Sequence, residues 1–159
     1  MKSIQLCVAL VFALVLPATS QQQQPAAAPS SDDAAAIAFV QGFFTAFDAR
    51  DYAAMERMFL PTAKLVHSDG VEEDVPTMLS TVRSAKHWPP RKRDLSHCET
   101  TWIGDAVVVG CLNHVVFEPP GQASVERTYN ETWILERTNA GLRAVRTHYS
   151  LVTRKEHTE

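Results

Sequence analysis

The chain has 159 residues, 45% of them hydrophobic and 21% charged, which suits one domain with a real core and excludes a wholly disordered chain. Its formal net charge of −3 argues against nucleic acid as the main partner. The six glycines are scattered, so no Gly-rich phosphate loop is present, and no Ser-His-Asp order with a nucleophile elbow appears.

Residues 1–20 read as a signal peptide. Lys2 supplies the charged start, Leu6 to Leu16 the short apolar run, and Pro17-Ala18-Thr19-Ser20 the small-residue cleavage site. The apolar run falls short of the ~20 residues that a bilayer span takes. Residues 21–30, QQQQPAAAPS, read as a disordered low-complexity spacer with nothing to bury. The folded domain is expected over 31–154, with a polar tail at 155–159. The expected location is secreted or periplasmic, with no membrane contact once the leader is cleaved.

Ser31-Asp32-Asp33 predicts an N-cap with acidic residues in the first helical turn. Ile37, Val40, Phe44 and Phe47 follow at helical spacing, and Phe39 and Phe43 widen the stripe, so this helix should be well buried. Asp51 caps a second, short helix carrying Met55, Met58 and Phe59, which Pro61 stops. Ala63 to His67 reads as a short strand, and Ser68-Asp69-Gly70 as a turn. Asp74, with Pro76 in the first turn, opens a third helix through about Lys86. The basic cluster Arg91-Lys92-Arg93, after Pro89-Pro90, reads as a solvated loop.

Beyond it the period changes to two. Asp94 to Ile103 and Ala106 to Phe117 flank a two-residue hairpin turn, Gly104-Asp105. Ile103 opposite Ala106 sets Cys98 opposite Cys111 in a non-hydrogen-bonded pair. Such pairs hold their Cα atoms ~4.5 Å apart, within disulfide range. A cross-strand disulfide is therefore predicted, although a one-residue bulge would put the two cysteines on opposite faces. Two more strands, VERTYNETWILER and LRAVRTHYSLV, meet at a turn around Thr138-Asn139-Ala140-Gly141. With Arg137 opposite Leu142, Glu131 falls opposite His148 and Tyr129 opposite Ser150. The order is three helices, a short strand among them, then four long antiparallel strands. That is α+β, a curved antiparallel sheet packed on three N-terminal helices.

In these registers one sheet face collects Leu95, His97, Glu99, Ile103, Val108, Leu112 and His114. The simplest pairing of the middle strands adds Tyr129, Glu131, Trp133 and His148. An apolar face with a few convergent polar groups has the make-up of a small-molecule site. His148, Glu131 and Tyr129 are the candidate catalytic residues, the carboxylate orienting an imidazole that titrates near neutrality. The alternative is a charge-assisted hydrogen bond that only fixes the strands. His97, Glu99, His114 and Trp133 are candidate ligand contacts. These histidines and glutamates sit on separate strands with no short-spaced ligand motif, so neither metal nor cofactor is expected. The other face carries Thr100, Trp102, Val107, Val109, Val115, Ile134, Val145 and Tyr149, too apolar to be simply solvated.

The order of elements, with His67-Ser68-Asp69-Gly70 closing the short strand, resembles the nuclear transport factor 2-like superfamily. Tyr129-Asn130-Glu131-Thr132-Trp133-Ile134 is similar to the penultimate strand of its SnoaL-like branch. Leu142, Val145, His148 and Ser150 keep the spacing of that branch's terminal Trp-x-x-Val-x-x-His-x-Ser pattern, with Leu142 in place of Trp. The branch is related to ketosteroid isomerase and to the calcium/calmodulin-dependent kinase association domain. In the latter an Arg lines the pocket where this chain has Glu131. The resemblance implies a cone-shaped cavity and a homodimer made through the outer sheet face. Three readings stay open: a binder of a small hydrophobic molecule, an acid–base enzyme of isomerase, cyclase or hydratase type, and a homo-oligomeric interaction module whose cavity is filled by its own side chains.

Overall fold

The computed structural model describes residues 30–156. The expected signal peptide and all but the last residue of the expected spacer lie outside them, as do the last three residues of the tail. Three helices come first: α1 (Ser31–Ala49), α2 (Tyr52–Met58) and α3 (Val75–Ser84). Two short strands, β1 (Phe59–Val66) and β2 (Glu72–Asp74), separate α2 from α3. Four long strands follow: β3 (Arg91–Ile103), β4 (Ala106–Phe117), β5 (Val125–Thr138) and β6 (Gly141–Glu156). They form one six-stranded sheet in the order β2-β1-β6-β5-β4-β3, antiparallel except where β1 runs parallel to β6. Among the described residues no helix is long and apolar enough to cross a membrane.

The helix N-cap is Ser30, one residue earlier than expected. Ser30 and Asp33 form a reciprocal capping box. Asp33 also accepts from Thr100 Oγ1 at 2.6 Å and Trp102 Nε1 at 2.9 Å. The hydrogen bond from Thr100, then those from Ser30, hold its carboxyl well below the usual range. One side chain thus ends a helix and fastens it to β3. At the other end Arg50 takes a left-handed conformation and donates to the Val82 and Arg83 carbonyls, which the end of α3 leaves unpaired. Asp74 caps α3 through Thr77 N, as its sequence implied.

The helices cover one face of the sheet. Val40, Phe43 and Phe44 of α1, Met55 of α2 and Leu79 of α3 pack against Val107, Val109, Trp133, Leu135 and Ala144. Phe43 touches Phe44, Phe47, Phe59 and Trp133, with ring centroids between 4.7 and 5.8 Å.

Three single-residue irregularities decide which strand residues face these helices. In β3 the pairing is Glu99 with Gly110, then Ser96 with Leu112, so two residues oppose Cys111. His97 is the extra one and has φ +50°. The bulge lies beyond the cysteine pair as counted from the turn. Cys98 and Cys111 therefore stay on one face and form the disulfide, with Cα atoms 4.2 Å apart. In β6 Val145 is extra, between Leu135–Ala144 and Ile134–Arg146. Val152 is the third, between Tyr129–Leu151 and Thr128–Thr153.

These shifts correct the expected faces. Past Val145, Glu131 is opposite Tyr149 and His148 is opposite Thr132. β4 and β5 pair with Phe117 opposite Val125, so the odd-numbered residues of both share the covered face. Val107, Val109, Val115, Thr100, Trp102 and Tyr149, expected outside, lie inside. Val108, Leu112, His114 and Ile103 lie outside, with Ile103 68% exposed. Leu95 does face the core.

The disulfide closes a 13-residue separation, a loop length for which cross-linking stabilises by roughly 2–3 kcal/mol. A Cys98→Ala, Cys111→Ala variant is expected to fold and to lose about that much in urea titration. An unchanged midpoint would mean that the pair contributes no such constraint.

Candidate functional site

Between α1, α3 and the covered sheet face lies a cavity of about 300 Å³. Its walls are mostly carbon: Phe43, Phe44 and Phe47 of α1, Met78 and Val82 of α3, and Trp88, Val115, Phe117 and Trp133. Those aromatic rings line the space and do not fill it. The cavity is thus of the size and character that takes a small organic molecule.

Its polar groups come in two chains. The first crosses three strands. Asp48 of α1 accepts both Nε and Nη2 of Arg93, at 3.0 and 2.9 Å. Arg93 Nη1 donates to Asn113 Oδ1 at 2.7 Å, and Asn113 Nδ2 donates to Glu131 Oε1 at 2.7 Å. Asn113 and Glu131 are buried. A fork-on-fork pair with Asp48 offsets part of the Arg93 charge, and Arg91 Nε lies 3.6 Å from the same carboxylate. Burial is the largest influence on the Glu131 carboxyl and raises it to about 7, against the smaller lowering effects of Asn113 and Arg93. Near neutral pH this group is therefore divided between donor and acceptor forms. Trp133 Nε1 stands close enough to lower it slightly, yet makes no hydrogen bond of proper geometry.

The second chain enters from the turn after β1. The His67 amide donates to Val71 O, the Gly70 amide to His67 O, and Asp69 Oδ1 accepts from Val71 N. Gly70 takes the positive φ this tight turn requires. The turn fixes the His67 ring between two partners. Nε2 meets Glu73 Oε1 at 2.5 Å, and Nδ1 meets the Tyr149 hydroxyl at 2.6 Å. Glu73, His67 and Tyr149 all line the cavity. Tyr149 packs edge-on against Tyr129 and is the strand neighbour of Glu131. Burial, then the nearby Tyr129 and Glu131, pushes its phenol up to about 12.

Of the residues singled out from sequence, Glu131, Tyr129 and Trp133 line the cavity. His148 does not: the Val145 bulge turns it to the exposed outer face, and the Glu131–His148 pair does not form. His97 is exposed at its own bulge and touches Ser96 Oγ at 3.2 Å. Glu99 is exposed outside, and His114 lies outside against Thr128 Oγ1 at 3.2 Å. Arg91 and Arg93 are not in a solvated loop. They begin β3, their side chains are 7% and 12% exposed, and both line the cavity. Asp48, Asn113, His67, Glu73 and Tyr149 are the site residues that the strand pattern did not single out. His67 and Asp69 had a signal in the turn motif; Asn113 had only its place on an alternating strand.

The model of the SnoaL-like domain family matches residues 37–154, and the chain belongs to that family. No curated protein matches the chain. Among solved structures it is similar to the CaMKII hub homology domain of Chlamydamonas reinhardtii, at 22% identity and a TM-score of 0.70, over 77% of this chain and 100% of that one. It is also similar to an NTF2-like protein with a cystatin-like fold from Novosphingobium aromaticivorans, at 18% identity and a TM-score of 0.67, over 76% and 82% of the two chains. A proposed dehydratase of the NTF2-like family from Streptomyces avermitilis matches at 14% identity and a TM-score of 0.65, over 77% and 97%. At these identities the likeness shows the fold.

Burying Glu131 has a measurable sign. Its folded-state value, about 7, lies above the ordinary 4.5, so the fold favours the protonated form. Stability is then highest below the ordinary value and falls as pH rises through 7, by roughly 3 kcal/mol in total. Glu131→Gln keeps the Asn113 hydrogen bond and removes the charge. It is expected to be more stable than wild type at about pH 8, by roughly 2–3 kcal/mol, with the gap closing towards about pH 5. Urea titrations at both pH values check this; a pH-independent gap would contradict it.

Proposed function

We propose that this SnoaL-like protein binds a small, largely apolar molecule carrying one or two polar groups. The observation that carries the reading is an open, carbon-walled cavity ending on a buried carboxyl whose one properly formed side-chain hydrogen bond comes from Asn113. Apolar walls supply affinity through lost water contact, and the few polar groups fix orientation. The space left between the rings disfavours an interaction module with a filled cavity.

We place the mature protein outside the cytoplasm, in a secreted or periplasmic setting. The leader-like composition of residues 1–20 and the Cys98–Cys111 disulfide support that compartment. We further propose a homodimer through the outer sheet face, where Val108, Leu112, Val116 and Ile134 stand half-buried beside exposed Ile103. The hub and association domains among its structural neighbours are consistent with self-association. Native mass spectrometry of the exported protein reads the cleaved leader, the dimer mass and any co-purified molecule together.

Thr81 lies on α3 at the cavity wall with its side chain otherwise exposed. Thr81→Trp is therefore expected to fill the entrance without harming the core. With 4-nitrotoluene as probe, wild type should show quenching of Trp88 and Trp133 fluorescence on titration. The Trp variant should bind at least about tenfold more weakly, a loss of ~1.4 kcal/mol. No binding by wild type, or equal binding by both, would remove the proposed site.

A further inference from the structure

The geometry around His67 points to more than passive binding: we propose that Tyr149, His67 and Glu73 form a proton relay that takes the proton of a phenol or enol hydroxyl bound in the cavity. This inference rests on the binding reading above. It names both the ligand class and what the site does to it.

The relay starts from a neutral His67, whose tautomer fixes the direction. Glu73 is a carboxylate and accepts, so His67 Nε2 carries a hydrogen. In the neutral ring Nδ1 is then bare and accepts from the Tyr149 hydroxyl. Tyr149 thus spends its own proton on His67. What it presents to the cavity is a lone pair, which suits a ligand that donates, namely a hydroxyl.

Proton transfer follows without any co-reactant. The ligand O–H bond breaks and a new O–H bond forms on Tyr149, as the former Tyr149 proton moves to His67 Nδ1. The ligand becomes an oxyanion that accepts a hydrogen bond from Tyr149, and His67 becomes an imidazolium. The Glu73 carboxylate balances that charge at contact distance. Tyr149 ends with as many protons as it began with. A phenol that ionises reluctantly can therefore serve, because it is never required to hold the charge.

The surroundings fit a relay open at its far end. The His67 side chain is 30% exposed and Glu73 12%, so the imidazole can exchange its proton with water, while Tyr149 faces the cavity. The groups around this chain are Glu73 from β2, Asp69 from the turn, and Tyr129 and Glu131 from β5. Of these, protonated Glu131 offers the oxyanion a second donor, and ionised Glu131 repels it. Arg91, at the cavity wall and 3.6 Å from Asp48, adds a positive charge.

The test uses two probes of nearly one shape, 4-nitrophenol and 4-nitrotoluene, on the full mature protein. Absorbance titration should show bound 4-nitrophenol ionising about one pH unit lower than the free molecule, a tenfold change in the ratio of its two forms. His67→Gln and Tyr149→Phe should each remove that shift, read at saturating 4-nitrophenol so that a change in affinity does not enter. Glu73→Gln, at a partly exposed position, should remove most of it and stands in if either of the others fails to fold. A bound phenol that ionises no more readily than the free one, or a shift that survives His67→Gln, would overturn the relay and leave the binding reading intact. If wild type takes up neither probe, the cavity itself is not a binding site and both proposals fall.

Discussion

One residue, Val145, decides what the cavity contains. A strand presents alternate side chains to alternate faces, so a single extra residue reverses every assignment beyond it. Before Val145, β6 directs Leu142 and Ala144 to the core. After it, Thr147 and Tyr149 face inward and His148 faces out. Without the bulge, an imidazole would stand beside Glu131. With it, the neighbour is a phenol, and the imidazole of the site comes from a different strand, at His67. Because β1 runs parallel to β6 with Leu65 opposite Thr147 and Val66 opposite His148, the same register also delivers His67 to Tyr149.

The polar groups brought together this way are organised around charge economy. Arg93 would be costly at 12% exposure without a partner, and Asp48 supplies one from α1. Asn113 then passes a hydrogen bond across the sheet without passing a charge. Glu131 at the end of that chain is buried without a direct ion pair, and burial outweighs the pull of Arg93 and drives it toward its neutral form. A carboxyl group held this way donates or accepts as required. A carboxylate paired directly with Arg93 could only accept. The helix-to-sheet ties work on the same plan: Asp33 serves α1 and β3 together, and Arg50 serves α1 and α3.

Much of the architecture was legible in the sequence, and the physical reason is proximity. Helix caps act over three residues, so Asp51, Asp74 and the Ser30–Asp33 region marked their helices closely. The Gly104-Asp105 turn fixed the register of Cys98 and Cys111 because no irregularity intervenes between turn and disulfide. Farther out the counting failed. Valine at 145 and 152 carries no local signal for a bulge, and His97 reveals its role only through a positive φ that histidine tolerates better than most residues. The resemblance to the SnoaL-like branch conveyed the cone and its order of elements, but not which face each histidine occupied. Arg91 and Arg93 looked like a solvated cluster because the acid they need, Asp48, is more than forty positions away in the chain.

The distribution of unmet polar groups bears on where function resides. Among the described residues two buried side-chain nitrogens lack partners, Trp133 Nε1 and Arg127 Nε. Both border open space: Trp133 the main cavity, and Arg127 an adjoining cleft that shares Trp88 and Phe117 with it. A buried donor left unpaired costs about 1–3 kcal/mol, and the raised Glu131 carboxyl adds a cost of similar size above neutral pH. The rest of the core shows no such losses; its valines, leucines and phenylalanines are simply packed. A fold seeking only stability would replace Glu131 with an apolar residue of similar volume, and Asn113 and Arg93 with it. Concentrating these losses around one cavity and the cleft beside it is what a site does when it keeps hydrogen-bonding capacity in reserve for something that is not part of the chain.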